Sequence, residues 1–159
     1  MTSIEIDNIK NFMSHLFIKE SLDYFLCKEI TIQTFSTFSI NGKIIKDFFT
    51  EEEYEEYIDS HYIPWEKLKN YCFNIIKGNK TPLSLKAVFV LPAAMAVKLI
   101  NDNGLTVKPT DIEGLYLNIR FENNRLSITS GSSLTYFTTD KSIDNIWDNE
   151  LKNILNFAL

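Results

Sequence analysis

The stretch that decides the fold is residues 115–139, LYLNIRFENNRLSITSGSSLTYFTT. Leu115, Leu117, Ile119 and Phe121 alternate with Tyr116, Asn118, Arg120 and Glu122, a period of two that sends the two sets to opposite faces of a pleated strand. Asn123-Asn124 breaks the alternation, and the run from Ser130 to Ser133 breaks it again. Read locally, the stretch predicts a three-stranded antiparallel meander with one apolar and one polar face. The apolar face needs a cover. Ile143, Ile146, Trp147, Leu151, Ile154 and Leu155 recur at helical spacing just downstream, so a last helix, capped by Ser142, is expected to lie across the sheet.

Toward the N-terminus the same logic adds elements. Asp7 can cap a helix whose apolar stripe is Ile9, Phe12, Met13, Leu16 and Phe17. Residues 22–26 fit either a continued helix or a strand, and periodicity does not choose between them. The following EITIQTFSTFSINGKIIKDFF is rich in Thr, Ile and Phe, and its Asn41-Gly42 is the pair best suited to the positive φ angles of a type I′ hairpin turn. Thr50 with Glu53 forms a capping box, opening a helix with Tyr54, Tyr57 and Ile58 inward. Pro64 suits the first turn of another helix, whose stripe is Leu68, Tyr71, Cys72, Ile75 and Ile76, with Gly78 as its stop. LSLKAVFVL reads as a strand, and Pro92 and Asn103-Gly104 bracket a helix between them.

Gly78-Asn79-Lys80-Thr81 looks like the tail of a phosphate-binding loop. Such a loop needs the order strand, glycine-rich turn, helix, so that free amides point at the phosphates. Here a helix precedes and a strand follows, and the first glycine of the motif is missing, so the segment is read as a plain connection. The predicted fold is a single α+β domain spanning residues 1–159: a mainly antiparallel sheet, built from an N-terminal hairpin, a central strand and the C-terminal three-strand meander, packed with about five helices.

The chain has a formal net charge of −5 and a pI near 5.1, and no basic cluster is visible, so neither nucleic acid nor an anionic membrane is an expected partner. It shows neither a cationic leader followed by an apolar run nor an apolar stretch of about 18 residues, from which a cytoplasmic location is expected. Cys27 and Cys72 sit in apolar surroundings without CxxC spacing, and read as buried free thiols. His15, His61 and the two cysteines are too scattered for a metal site or a Cys/His nucleophilic pair, so no metal, cofactor or catalytic residue is assigned. Glu51 to Glu53, and Asp140, Asp144 and Asp148, lie near helix starts and read as solvated acids. Ser130-Gly131-Ser132-Ser133 lacks the strand-to-helix elbow of a hydrolase nucleophile and reads as a hairpin turn.

One constellation remains. Tyr116, Asn118 and Arg120 on one strand, with Ser127 and Thr129 on the next and Thr135 and Thr139 beyond, would share the polar face of the meander. Arg120 there could pair bidentately with a carboxylate or phosphate, of an anionic small ligand or of an acidic partner protein. The alternative is a solvated Thr-rich face on a sheet covered from one side.

FMSHLFIKESLDYFL, FSINGKIIKDFF, IKGNKTPLSLK and GLYLNIRFENNRLSITSGSSLTYFTTDKSIDNIWD together resemble a family of small uncharacterised clostridial proteins, a domain of unknown function, over nearly the whole chain. The resemblance implies a bacterial cytosolic single-domain protein and assigns no catalytic residues. Three functional expectations follow. The leading one is a non-enzymatic interaction module that binds another protein or itself. The second is a small-ligand binder using the Arg120 face, and the third a thiol-dependent enzyme acting through Cys72 or Cys27.

Overall fold

The computed structural model describes residues 2–159. Eleven elements carry the architecture: β1 (Ser3–Ile6), α1 (Ile9–Phe17), β2 (Leu26–Gln33), β3 (Thr37–Asn41), α2 (Glu51–Tyr54), α3 (Trp65–Ile76), β4 (Ser84–Val90), α4 (Ala93–Asp102), β5 (Ile112–Glu122), β6 (Arg125–Leu134) and α5 (Ser142–Ile154). The strands form one six-stranded sheet in the order β1-β6-β5-β4-β2-β3, and every pairing is antiparallel. The protein is an α+β fold, as its alternation predicts.

Register explains why one face of this sheet is core. Ile4, Ile128, Ile119, Ala87, Ile30 and Ile40 lie side by side across all six strands. The next row runs Ile6, Leu126, Phe121, Leu85, Ile32 and Phe38. Helices α1, α3, α4 and α5 contribute Phe12, Leu16, Trp65, Cys72, Ile100, Trp147 and Leu151 to the same buried cluster. The indoles are the largest rings there and each finds an acceptor for its N–H: Trp65 donates to the Leu16 carbonyl at 2.8 Å and Trp147 to that of Tyr116 at 2.9 Å.

Several local readings hold in detail. The Thr50–Glu53 capping box is present in both directions, Asn123 and Asn124 both take positive φ in the β5–β6 turn, and α4 lies between Pro92 and Asn103-Gly104. Gly78 takes φ +138° between α3 and β4, so KGNKT is a helix-to-strand connection.

Other readings are corrected. The C-terminal sheet is a two-strand hairpin, because Ser130 to Ser133 continue β6 and residues 135–139 form no strand. The third position of the expected meander is taken by β1 from the other end of the chain. Ser130 and Ser132 stay extended because their hydroxyls donate to Asp148 and Asp144 on α5, so those two acids cover the sheet rather than facing water. Asn8, not Asp7, caps α1, and α5 starts after Lys141, with Asp140 accepting from Ser142. Residues 22–25 form turns and Leu26 opens β2. Ile58 and Tyr71, expected inward, are exposed, while Lys69 is buried on α3, its ammonium held by Asp23 at 2.7 and 2.8 Å and by the Lys19 carbonyl at 3.0 Å.

Asn41-Gly42 is not a hairpin turn. The β2–β3 turn lies at residues 34–36, closed by the bond from the Thr34 N–H to the Ser36 carbonyl. Gly42 instead sits where three backbones meet: its N–H donates to Lys28 at 3.0 Å, its carbonyl accepts from Ile63 at 2.8 Å, and the Ile63 carbonyl accepts from Cys27 at 2.9 Å. A Cβ on Gly42 would lie 1.7 Å from the Cys27 carbonyl oxygen. The glycine is needed for close approach rather than for an unusual φ.

Candidate functional site

The open face of the sheet does bring the sequence-predicted residues together. Asn118 lies opposite Thr129 and Arg120 opposite Ser127, with Tyr116 one step along β5. Lys86 of β4 flanks Arg120 from the other side. The Arg120 guanidinium is occupied, however: its Nη2 donates to Glu122 at 2.7 Å and its Nε to the same oxygen at 3.2 Å. This hydrogen bond and charge hold the Glu122 carboxyl below its ordinary range. The Tyr116 ring folds back over Gly114, where a Cβ would stand 2.6 Å from it, and Lys28 approaches its face at 5.5 Å. Thr135 bonds Asp111 and Thr139 lies in the loop before α5, so neither joins the face.

The thiols are in the core. Cys27 and Cys72 are free and buried, and burial pushes them up to about 12 and about 11 respectively, with each other's proximity and Glu29 adding to the shift at Cys27. His15 stacks on Phe157 with ring centroids 3.9 Å apart and meets the Ser21 hydroxyl through Nδ1 at 2.6 Å. His61 lines a cavity of about 110 Å³ between α4 and the sheet, beside Asp59, Tyr62 and Glu113. No group of three or more His, Cys, Asp or Glu among the described residues is placed to hold a metal ion.

A different part of the surface stands out on burial. Phe35 is 93% exposed, Phe48 85%, and Leu83 and Tyr71 70% each, while Phe137, at 92%, lies apart from them in the segment before α5. The first four gather around β3, the edge strand of the sheet. At its N-terminal end, Phe35 and Leu83 line a groove of about 520 Å³ with Ile75 and Ile76 of α3. At its C-terminal end, Ile45, Phe48, Phe49 and Leu68 line an apolar pocket of about 380 Å³. Leu68, Tyr71 and Ile75 share one face of α3 by helical spacing and link the two concavities.

Sequence reasoning missed this surface because a Phe in FSTFSINGKIIKDFF carries the same local signal whether the fold buries it or not. The one available cue was density: Phe35, Phe38, Phe48 and Phe49 are more rings than a single edge strand and its flanks can bury.

A family of unknown function, DUF5721, matches residues 15–158, nearly the whole chain. The chain belongs to this family. No curated protein and no solved structure matches it. The matched span opens within α1 and includes every residue of the β3 surface and of the Arg120 face on β5 and β6, whereas β1 lies outside it. No helix is long and apolar enough to cross a membrane among the described residues.

Proposed function

We propose that the chain is a non-enzymatic protein-interaction module of the bacterial cytoplasm, clostridial as the resemblance implies, and that the surface around β3 is where it binds. One observation carries this reading: five of the twelve exposed large apolar side chains among the described residues, Phe35, Ile45, Phe48, Tyr71 and Leu83, lie along a single strand edge and the helix beside it. Monomeric proteins rarely leave so much contiguous apolar surface in water, and such patches mark sites of association. Phe48→Ser and Leu83→Ser, each at an exposed position, should leave the far-ultraviolet circular dichroism unchanged while abolishing complexes seen by native mass spectrometry of the gently purified protein. Complexes that survive both substitutions would move the binding surface elsewhere.

A second reading keeps the open face as a site for an anionic small ligand. It is favoured by Lys86 beside Arg120 and by the hydrogen-bonding row of Asn118, Thr129 and Ser127. A ligand would have to take Arg120 from Glu122. Arg120→Ala should then weaken a carboxylate or phosphate ligand found by screening, with little change in melting temperature, because solvent screens an exposed ion pair. An unchanged affinity would end this reading.

A further inference from the structure

The β3 edge has a register of its own. Hydrogen-bonded pairs alternate along an antiparallel ladder. The bonds from Thr34 to Ser36 and from Gly42 to Lys28 mark the two ends of the β2–β3 ladder, so Phe38 and Ile40 spend their N–H and C=O groups on Ile32 and Ile30. Thr37, Ser39 and Asn41 therefore turn theirs away from β2, toward the open edge. Among the described residues, β2 is the one strand neighbour of β3.

Edge strands in natural proteins are commonly blunted by lysine, proline, inward charge or a bulge. The sequence of β3, TFSIN, has none of these and no charge at all. The opposite edge, β1, is different: it carries Glu5, held in a bidentate pair with Arg125 at 2.8 and 2.9 Å. For a chain of net charge −5, a neutral strand is the place where a like-charged copy can approach at little electrostatic cost.

The pattern of β3 is also self-complementary. Reversed about Ser39, polar-apolar-polar-apolar-polar falls on itself: Ser39 meets Ser39, Thr37 meets Asn41, and Phe38 meets Ile40 on the helix side, an aromatic with β-branched pairing of the kind that stabilises sheets. The same reversal sets Phe35 opposite Lys43, which lines the apolar pocket of Ile45, Phe48, Phe49 and Leu68. Phe35 leans to the side where that pocket opens, since it touches Phe38 edge-on at 5.7 Å and shares its groove with Ile75 of α3. A protruding ring and an apolar hole thus stand at the two ends of one strand, in the arrangement that a two-fold axis through Ser39 would match twice.

We infer that β3 is the seam of an isologous homodimer, in which the β3 strands of two copies pair antiparallel about Ser39 and each Phe35 enters the other copy's pocket beside Phe48. This rests on the interaction-module reading and names its partner as a second copy of the chain. Size is consistent with it. Phe35 and Phe48 together bring roughly 300–400 Å² of ring surface per copy, nearly half of the ~800 Å² per partner of a stable interface. Ile45, the strand itself and the facing groove add to that area.

The test uses the full chain at tens of micromolar, with light scattering after gel filtration and native mass spectrometry as readouts. Wild type should run at twice the chain mass. Ser39→Lys puts two ammonium groups face to face on the axis, and Phe35→Asp puts a carboxylate at the apolar hole. Both positions are exposed in one copy, so each variant should keep its circular dichroism and weaken the dimer at least tenfold. A positive control does not depend on losing anything: Cα atoms of a hydrogen-bonded antiparallel pair lie about 5.5 Å apart, inside the disulfide range of about 4.4–6.8 Å. Ser39→Cys should therefore oxidise to a covalent dimer, and Ser3→Cys on the other edge should not. A monomeric wild type, a dimer indifferent to both substitutions, or cross-linking equal at Ser39→Cys and Ser3→Cys would each overturn the inference. If the wild type is monomeric yet binds a different protein in a Phe48-dependent way, self-pairing fails and the interaction reading stands; a monomer with no such partner refutes both.

Discussion

Gly42→Asn separates two accounts of one residue. If Asn41-Gly42 were a type I′ turn, as its sequence suggests, asparagine would be tolerated at position 42, since it accepts positive φ almost as readily as glycine does. The structure gives the opposite expectation. Any Cβ at 42 would fall 1.7 Å from the Cys27 carbonyl oxygen and 2.9 Å from its carbon, and both are backbone atoms that cannot swing aside. Relieving that overlap means separating Gly42 from β2 and from residue 63, which breaks the bonds from Gly42 to Lys28 and from Ile63 to Gly42 and loosens that from Cys27 to Ile63. At a net 0.5–1.5 kcal/mol each, three bonds come to about 3 kcal/mol. For a domain of this size that is a fall in melting temperature of roughly 6–12 °C. Gly42→Ala and Gly42→Asn should cost alike, measured by urea unfolding with circular dichroism. Gly104→Asn is the control: Gly104 has φ +62° and open space around its Cα, so asparagine should cost far less there. A Gly42→Asn protein within about 0.5 kcal/mol of wild type, inside the usual range of harmless surface substitutions, would refute the close-approach argument.

Lys69→Ala leaves Asp23 nearly buried without its ammonium and should cost about 3–5 kcal/mol, whereas Lys69→Met with Asp23→Leu should recover most of that; equal losses in urea unfolding of the single and double variants would contradict this. Burial, with Lys19 adding to it, holds His15 below its ordinary value of 6.5, so the unfolded chain takes up its proton first as pH falls. The His15 contribution is complete above that value and is lost on acidification toward the lower folded one, so wild type should lose stability relative to His15→Phe between about pH 7 and pH 5, and parallel curves would refute the assignment. A thiol titrating near 12 instead of 9 carries about a thousandfold less thiolate at pH 8, so iodoacetamide should leave native Cys27 unlabelled and label it promptly in guanidinium. Labelling of native Cys27 or Cys72 at the rate of a free thiol would revive the thiol-enzyme reading.

The sequence alone determined what depends on near neighbours. The alternation of Leu115 to Phe121 made β5, the stripe of Ile143, Trp147 and Leu151 made α5, and Thr50, Pro92, Asn123 and Asn124 set caps and turns through bonds and φ angles a few residues long. It also brought the Arg120 face together correctly, because strand period and one tight turn suffice to align Asn118 with Thr129. What needed the tertiary structure were contacts with no local trace. Ser130 and Ser132 look like a turn until Asp148 and Asp144 on α5 satisfy their hydroxyls and let β6 run on. β1 has four residues, too few to declare themselves without β6 beside them. Gly42 reads as a turn glycine until Cys27 and Ile63 crowd it. The Phe35 and Phe48 surface follows the same rule: apolar side chains are drawn to the core by an undirected force, and only the closing of the sheet at β3 decides which rings are left outside it.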